Sequence, residues 1–427
     1  MPCCTPEFAH SADPQLRRVA RSLTMLGMTR TAQATAPENR LQHVDAIRGL
    51  ALFGVLLVNL YSQNELALTQ TQVGAMASAG VDVWFGFAIN VLWTGKAQAL
   101  FSMLFGFGFA LQMQRAEARG AAFTSIYVRR LLILLALGCM HVWLFFAFDI
   151  LHVYALMGLL LLWARPLPTR WLLGLGLTLS LLPWLVFYAW LDGGALTADG
   201  DAPLVQLWDQ GLVRRSVLFL GHDFPAYVHE LWHSSFSEYL ATPYGATFFL
   251  YVFGRFLLGY WIACTGFLAT PDQHTERFRI ELPVMFWAGL TLALIEEGFW
   301  YLPIDYSTRV FLFTTLIDEI AKLLLAGAYA LLLIRIMQHG SLRKFTGGLA
   351  AVGRMALSNY LLQTLVFLFV LYGFGLGALP IAGASFCLAL ALVVFGLQIG
   401  VSQWWLSRFR FGPAEWVWRY LTYGHRP

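Results

Sequence analysis

The chain has 427 residues, 58% of them hydrophobic and 12% charged, with a formal net charge of +4. A soluble domain carries about twice that charged fraction, and the mean hydropathy here is +0.63. These values exclude a soluble globular organisation. The small positive charge implies no nucleic-acid partner, because the arginines that produce it flank apolar runs and orient them in a bilayer. Five cysteines (Cys3, Cys4, Cys139, Cys264, Cys387) form no CxxC pair, and the last three lie in apolar runs as small buried side chains.

Residues 1–40 are polar, carry Arg17, Arg18, Arg21, Arg30 and Arg40, and contain no apolar core of a signal peptide. They are expected to be a disordered cytoplasmic tail, or in part to precede a start at Met25 or Met28. The remainder, 41–427, reads as a single all-α transmembrane domain. Apolar runs predict about ten spans: 46–63, 82–114, 126–147, 150–164, 171–191, 244–268, 281–301, 311–336, 354–373 and 379–405. The run 82–114 is too long for one straight crossing and contains Lys96, so a broken or re-entrant helix is expected there. Most of the 28 Lys and Arg fall on loops of one side when both termini are cytoplasmic, which makes a multi-pass protein of the bacterial inner membrane the expectation.

The longest exterior segment is 192–243. After Asp223 it turns amphipathic, with Phe224, Val228, Leu231, Trp232 and Tyr239 on one face, as an interfacial helix on the outer leaflet would be. This helix carries HELWH, His229–His233, the spacing of a zinc-protease helix. A hydrolytic zinc needs a third protein ligand, and no downstream ligand motif follows. No metal is expected, with His229 and His233 the weak candidates.

Ionisable and strongly polar groups inside spans are better pointers, since each is costly in lipid and faces a cavity or a partner. Asp45 and Arg48 share a helix face at the start of the first span, with Asn59 deeper; they pair, and Arg48 suits an anionic group. Gly49 and Gly54 let another helix approach. His141, Asp149 and His152 bracket a tight turn, and together make a carboxylate-oriented imidazole, a candidate general base. Asp318 and Lys322 neutralise each other, while Glu319 joins Glu296 in an acidic cavity answered by Arg255. Arg354 sits at the cytoplasmic boundary, and Asn359 and Gln363 share a face one turn apart.

DAIRGLALFGVLLVN, KAQALFSMLFGFGFALQ, RRLLILLALGCMH with DILHVYALMG, GRMALSNYLLQT and GPAEWVWRYLTYG occur in the order seen in the YeiB-like bacterial membrane proteins. The resemblance covers nearly everything after residue 40, with a YeiB-like C-terminal region at about 244–427. More distantly, the D-x-x-R-G opening resembles transmembrane acyltransferases such as heparan-alpha-glucosaminide N-acetyltransferase. That resemblance implies acyl transfer from cytoplasmic acyl-CoA, as co-substrate rather than bound cofactor, to an envelope or small-molecule acceptor. Arg48 and Arg354 would then hold the CoA phosphates. Those relatives use a histidine in or soon after the first span. This chain has none between His43 and His141, so the chemistry would fall to His141 or His152. The alternative is a small-molecule or proton-coupled transporter built on Glu296 and Glu319. The expected partners are the bilayer, the substrate and, as a candidate, a second copy of the chain.

Overall fold

The computed structural model describes residues 41–68, 80–120, 123–146, 149–190, 203–235, 243–302, 308–340 and 342–424, and their regular structure is helical throughout. The tail 1–40, the opening of the exterior loop and Tyr239 lie outside the described residues.

The helices in chain order are α1 (Gln42–Ala67), α2 (Val81–Leu92), α3 (Lys96–Ala118), α4 (Phe123–Leu144), α5 (Leu151–Ala164) and α6 (Thr169–Trp190). They continue with α7 (Pro203–Leu220), α8 (Phe224–Ser234), α9 (Pro243–Thr265), α10 (Thr275–Phe299) and α11 (Thr308–Gln338). The last four are α12 (Arg343–Arg354), α13 (Ala356–Val366), α14 (Ala384–Leu406) and α15 (Pro413–Tyr423). Among the described residues seven stretches are long and apolar enough to cross a membrane, and the pair α12–α13, bent by 85°, makes an eighth if counted as one span. The chain is therefore a multi-pass helical membrane protein.

The break expected in the run 82–114 is present, and two other segments differ from the sequence reading. The run 82–114 splits at Trp93–Gly95, where Gly95 adopts φ 74°, a left-handed conformation that glycine tolerates. Lys96 fastens the break by donating Nζ to the Asn90 carbonyl at 2.9 Å. The expected span 150–164 is the 14-residue α5, only about 21 Å long at 1.5 Å per residue. The segment 337–353, expected as a cytoplasmic loop, contains α12, which lies tightly against α1. A Cβ at Gly49 would fall 2.1 Å from the Leu349 carbonyl oxygen, and one at Gly353 would fall 1.9 Å from that of Asp45. Small residues thus permit the close crossing, as in other membrane bundles.

The helix expected on the outer leaflet also differs. Asp223 caps α8 through the Ala226 N–H at 3.0 Å, but the face turned to the protein is Tyr227, Glu230, Leu231 and Ser234. Tyr227 donates its hydroxyl to the Phe145 carbonyl at 2.7 Å. Burial of Tyr227 and Leu231 together with this hydrogen bond docks the helix on the bundle.

Among the described residues three apolar clusters hold the domain: one drawn chiefly from α1, α3, α11, α12 and α14, one from α3, α4, α5 and α9, and a small one from α2, α10 and α11. α3 is shared, and the cavity described next runs along it.

Candidate functional site: a cavity with an arginine end and a carboxylate end

A cavity of about 960 Å³ is lined by α1, α3, α4, α9, α11 and α15 and by the α12–α13 bend. Gln98 and Arg115 of α3 both line it, and 17 residues of helix between them span roughly 25 Å. The cavity therefore extends over most of the hydrocarbon thickness of a bilayer. Phe101, Leu104, Phe105 and Leu111 make its middle apolar.

One end is basic. Arg48, Arg115, Arg119, Arg130, Arg354 and Arg419 line it, against Asp45 and Glu415. Both carboxylates are occupied. Asp45 accepts from Arg48 at 3.1 Å. Glu415 caps the start of α13, accepting the backbone N–H of Leu357 at 2.7 Å and of Ser358 at 3.2 Å. Such N–H groups at a helix start have no partner within the helix. The C-terminal helix α15 is thereby tied to the bend that carries Arg354. Its Trp418 reaches α4 as well, donating Nε1–H to the Arg130 carbonyl at 2.9 Å.

The other end is a chain of ion pairs. Lys322 contacts Asp318 at 2.5 Å and Glu319 at 2.8 Å. Glu319 also meets Arg255 at 3.1 Å, and both are almost wholly buried. Arg255 donates to Gln98 and lies over the Tyr251 ring, 3.6 Å from its centroid. Lys96 stands 3.9 Å from Asp318. Burying so many charges is tolerable only because they are paired and hydrogen-bonded. Glu296 lines the cavity beside them and accepts the Trp300 indole N–H at 2.9 Å. Its neighbour Glu297 turns away to Asn90 at 3.0 Å.

His141, Asp149 and His152 are brought together, but not at the cavity wall. Gly138 allows the start of α5 to approach α4: a Cβ there would lie 2.4 Å from the His152 nitrogen. Asp149 Oδ1 meets His141 Nδ1 at 2.9 Å and the Tyr360 hydroxyl at 2.9 Å. Its Oδ2 accepts the Leu151 N–H at 2.9 Å and stands 3.3 Å from His152 Nδ1. His141 Nε2 is bonded to Thr364 Oγ1 at 3.0 Å, so both of its ring nitrogens are used. Tyr360 stands between this cluster and the cavity, which it lines.

The remaining candidates are placed as follows. Asn59 lines the cavity between its ends. Asn359 and Gln363 face α14 instead, bonding Ser402 at 3.0 Å and Gln398 at 3.1 Å. In HELWH, His229 and His233 are exposed while Glu230 is buried against Arg214 at 3.2 Å. Among the described residues no group of three His, Cys, Asp or Glu side chains is arranged to hold a metal ion.

Sequence reasoning missed Arg115, Arg119, Arg130, Arg419 and Tyr127 as cavity residues. At span ends the arginines carry the ordinary orientation signal, and only packing reveals that they converge.

Residues 262–425 match a family model described as a protein of unknown function, DUF418. The chain is 30% identical to "Uncharacterized protein YxaH" of Bacillus subtilis (strain 168), over 92% of this chain and 96% of that one. The chain belongs to this YeiB-like family. It is also 28% identical to "Uncharacterized protein YeiB" of Escherichia coli (strain K12), over 89% of this chain and 95% of the relative. A relative from Bacillus acidopullulyticus, "Uncharacterized 39.9 kDa protein in amylase 3'region", is 28% identical over 92% of this chain and 96% of its own. The DUF418 match runs from the end of α9 to α15 and so includes Arg354, Glu415 and Lys322. No solved structure matches the chain.

Proposed function

We propose that this DUF418 protein is a multi-pass acyltransferase of the bacterial cytoplasmic membrane, with the arginine end facing the cytoplasm. The donor is acyl-CoA. Its phosphates lie against Arg48 and Arg354, which suit bidentate anion binding, and its pantetheine arm and acyl group run into the apolar middle. The acceptor, a hydroxyl or amine, enters from the carboxylate end. There Glu296 takes the acceptor proton while the acceptor oxygen or nitrogen bonds to the thioester carbonyl carbon. The carbon–sulfur bond breaks and CoA leaves as its thiolate, which takes up a proton. Glu296 suits this step better than His141 or His152, because neither histidine lines the cavity.

The observation that supports this reading is the single cavity lined by Arg354 at one end and by Glu296 and Asp318 at the other. The test is acyl-CoA binding to the purified protein in detergent. Saturable binding weakened at least ten-fold in Arg48→Ala and Arg354→Ala is expected; no binding to the wild type at saturating acyl-CoA would refute the donor assignment.

A transport reading has one observation in its favour, the ion-pair chain Asp318–Lys322–Glu319–Arg255 beside the path. It predicts substrate flux into proteoliposomes that Glu319→Gln abolishes. Transfer activity without flux would set it aside.

A further inference from the structure

The arginine end holds two donors that the protein does not satisfy. Tyr127 is 3% exposed and lines the cavity, and its hydroxyl has no hydrogen-bond partner among the described residues. Its ring is fixed against Phe109 and Phe123, both with centroids 5.0 Å away. The side chain is thus held rigidly with its polar tip unpaired. Arg354, across the mouth on the α12–α13 bend, likewise has a buried Nε–H without a partner. Leaving a buried donor unpaired is costly, and native structures rarely do so without a reason.

Arg130 lies one helical turn after Tyr127 and its guanidinium is pinned on two sides. It donates to Gln112 Oε1 at 2.8 Å and lies over the Trp418 ring, 4.1 Å from the centroid. Neither partner is an anion, so the charge of Arg130 is positioned without being neutralised by these contacts. Two unsatisfied donors and a held guanidinium lining one cavity, on α4 and on the α12–α13 bend, match an acceptor-rich anion with several oxygens.

We infer that Tyr127, Arg130 and Arg354 form a phosphate-binding subsite at the arginine end of the cavity. The inference deepens the donor assignment proposed above and rests on it for the direction of entry. It adds a hydroxyl donor that the donor assignment did not require. The chemistry recognised is a phosphate ester, which either a CoA-type nucleotide or an anionic lipid headgroup could present.

The experiment measures affinities of the purified full chain in detergent for two probes, CoA and dihexanoyl phosphatidic acid. The variants are Tyr127→Phe, which removes only the hydroxyl, and Arg354→Lys, which keeps the charge but removes the Nε–H. Each is expected to weaken the recognised probe about ten-fold, equivalent to about 1.4 kcal/mol. Tyr127→Phe is also expected to leave the unfolding temperature of the ligand-free protein unchanged or raised, because an unsatisfied buried hydroxyl is lost. Loss confined to CoA assigns a soluble donor, and loss confined to phosphatidic acid assigns a lipid; either supports the subsite. Binding of both probes that both variants retain within two-fold would overturn the subsite while leaving the donor assignment intact. No binding of either probe by the wild type would overturn both. A lowered unfolding temperature with unchanged affinities would make the Tyr127 hydroxyl structural and overturn the subsite.

Discussion

Trp418 lies over the guanidinium of Arg130 at 4.1 Å and donates its indole N–H to the same residue's carbonyl oxygen at 2.9 Å. One aromatic side chain near the C-terminus therefore holds both the backbone and the charge of an arginine in α4. A cation–π contact that is partly desolvated contributes about 1–2 kcal/mol. Trp418→Ala should weaken acyl-CoA binding about ten-fold and Trp418→Phe less, as read by equilibrium binding in detergent. Equal loss in both variants would mean that the indole N–H, not the ring face, positions Arg130.

Glu415 satisfies two backbone donors at the start of α13, on the far side of an 85° bend. Losing an N-cap interaction costs about 0.5–2 kcal/mol. Glu415→Ala should lower the unfolding temperature and, by loosening the Arg354 bend, reduce acyl-CoA affinity several-fold. Differential scanning fluorimetry paired with binding on the same preparation checks both effects.

The α1–α12 crossing depends on glycine. A Cβ at Gly353 would lie 1.9 Å from the Asp45 carbonyl oxygen, a backbone atom that cannot swing aside. Gly353→Ala should cost roughly 3 kcal/mol or more and reduce the yield of monodisperse protein. Gly347→Ala on the same helix meets nothing within 4 Å and should be tolerated, which makes it the matched control for size-exclusion profiles.

His141 separates a structural from a chemical role. With both ring nitrogens bonded, its loss leaves Asp149 and Thr364 short of a buried partner, a penalty of about 1–3 kcal/mol. His141→Leu should lower the unfolding temperature while keeping acyl-CoA affinity within two-fold of wild type. Undiminished stability with abolished turnover would instead return His141 to the chemistry.

Helical class, a polytopic membrane location and the family were legible from apolar run lengths, charge placement and ordered motifs. The local pairs were legible too, because helical spacing alone brings Asp45 to Arg48 and Asp318 to Lys322. Grouping His141, Asp149 and His152 followed from a short turn. Their separation from the cavity did not, because it depends on Tyr360, 211 residues along the chain from Asp149. α12 was read as a loop because its apolar face is short and built on glycine and alanine, and its burial comes from the distant helices α1 and α14. Of the arginine end only Arg48 and Arg354 were anticipated, for a similar reason. Its six members come from α1, α3, the residue that follows α3, α4, α12 and α15, and no local pattern links them.

The central claim is that an acyl donor lies along the cavity with its charged end at the arginines. Photo-crosslinking with an acyl-CoA carrying a diazirine near the end of its chain, followed by peptide mass spectrometry, tests it most directly. The account predicts adducts on cavity residues of α3, α9 and α11, among Phe101, Leu104, Phe105, Phe248 and Thr315, that excess unlabelled acyl-CoA suppresses. Adducts concentrated instead on α5 and α13 around His152 and Thr364, or none that competitor suppresses, would contradict it.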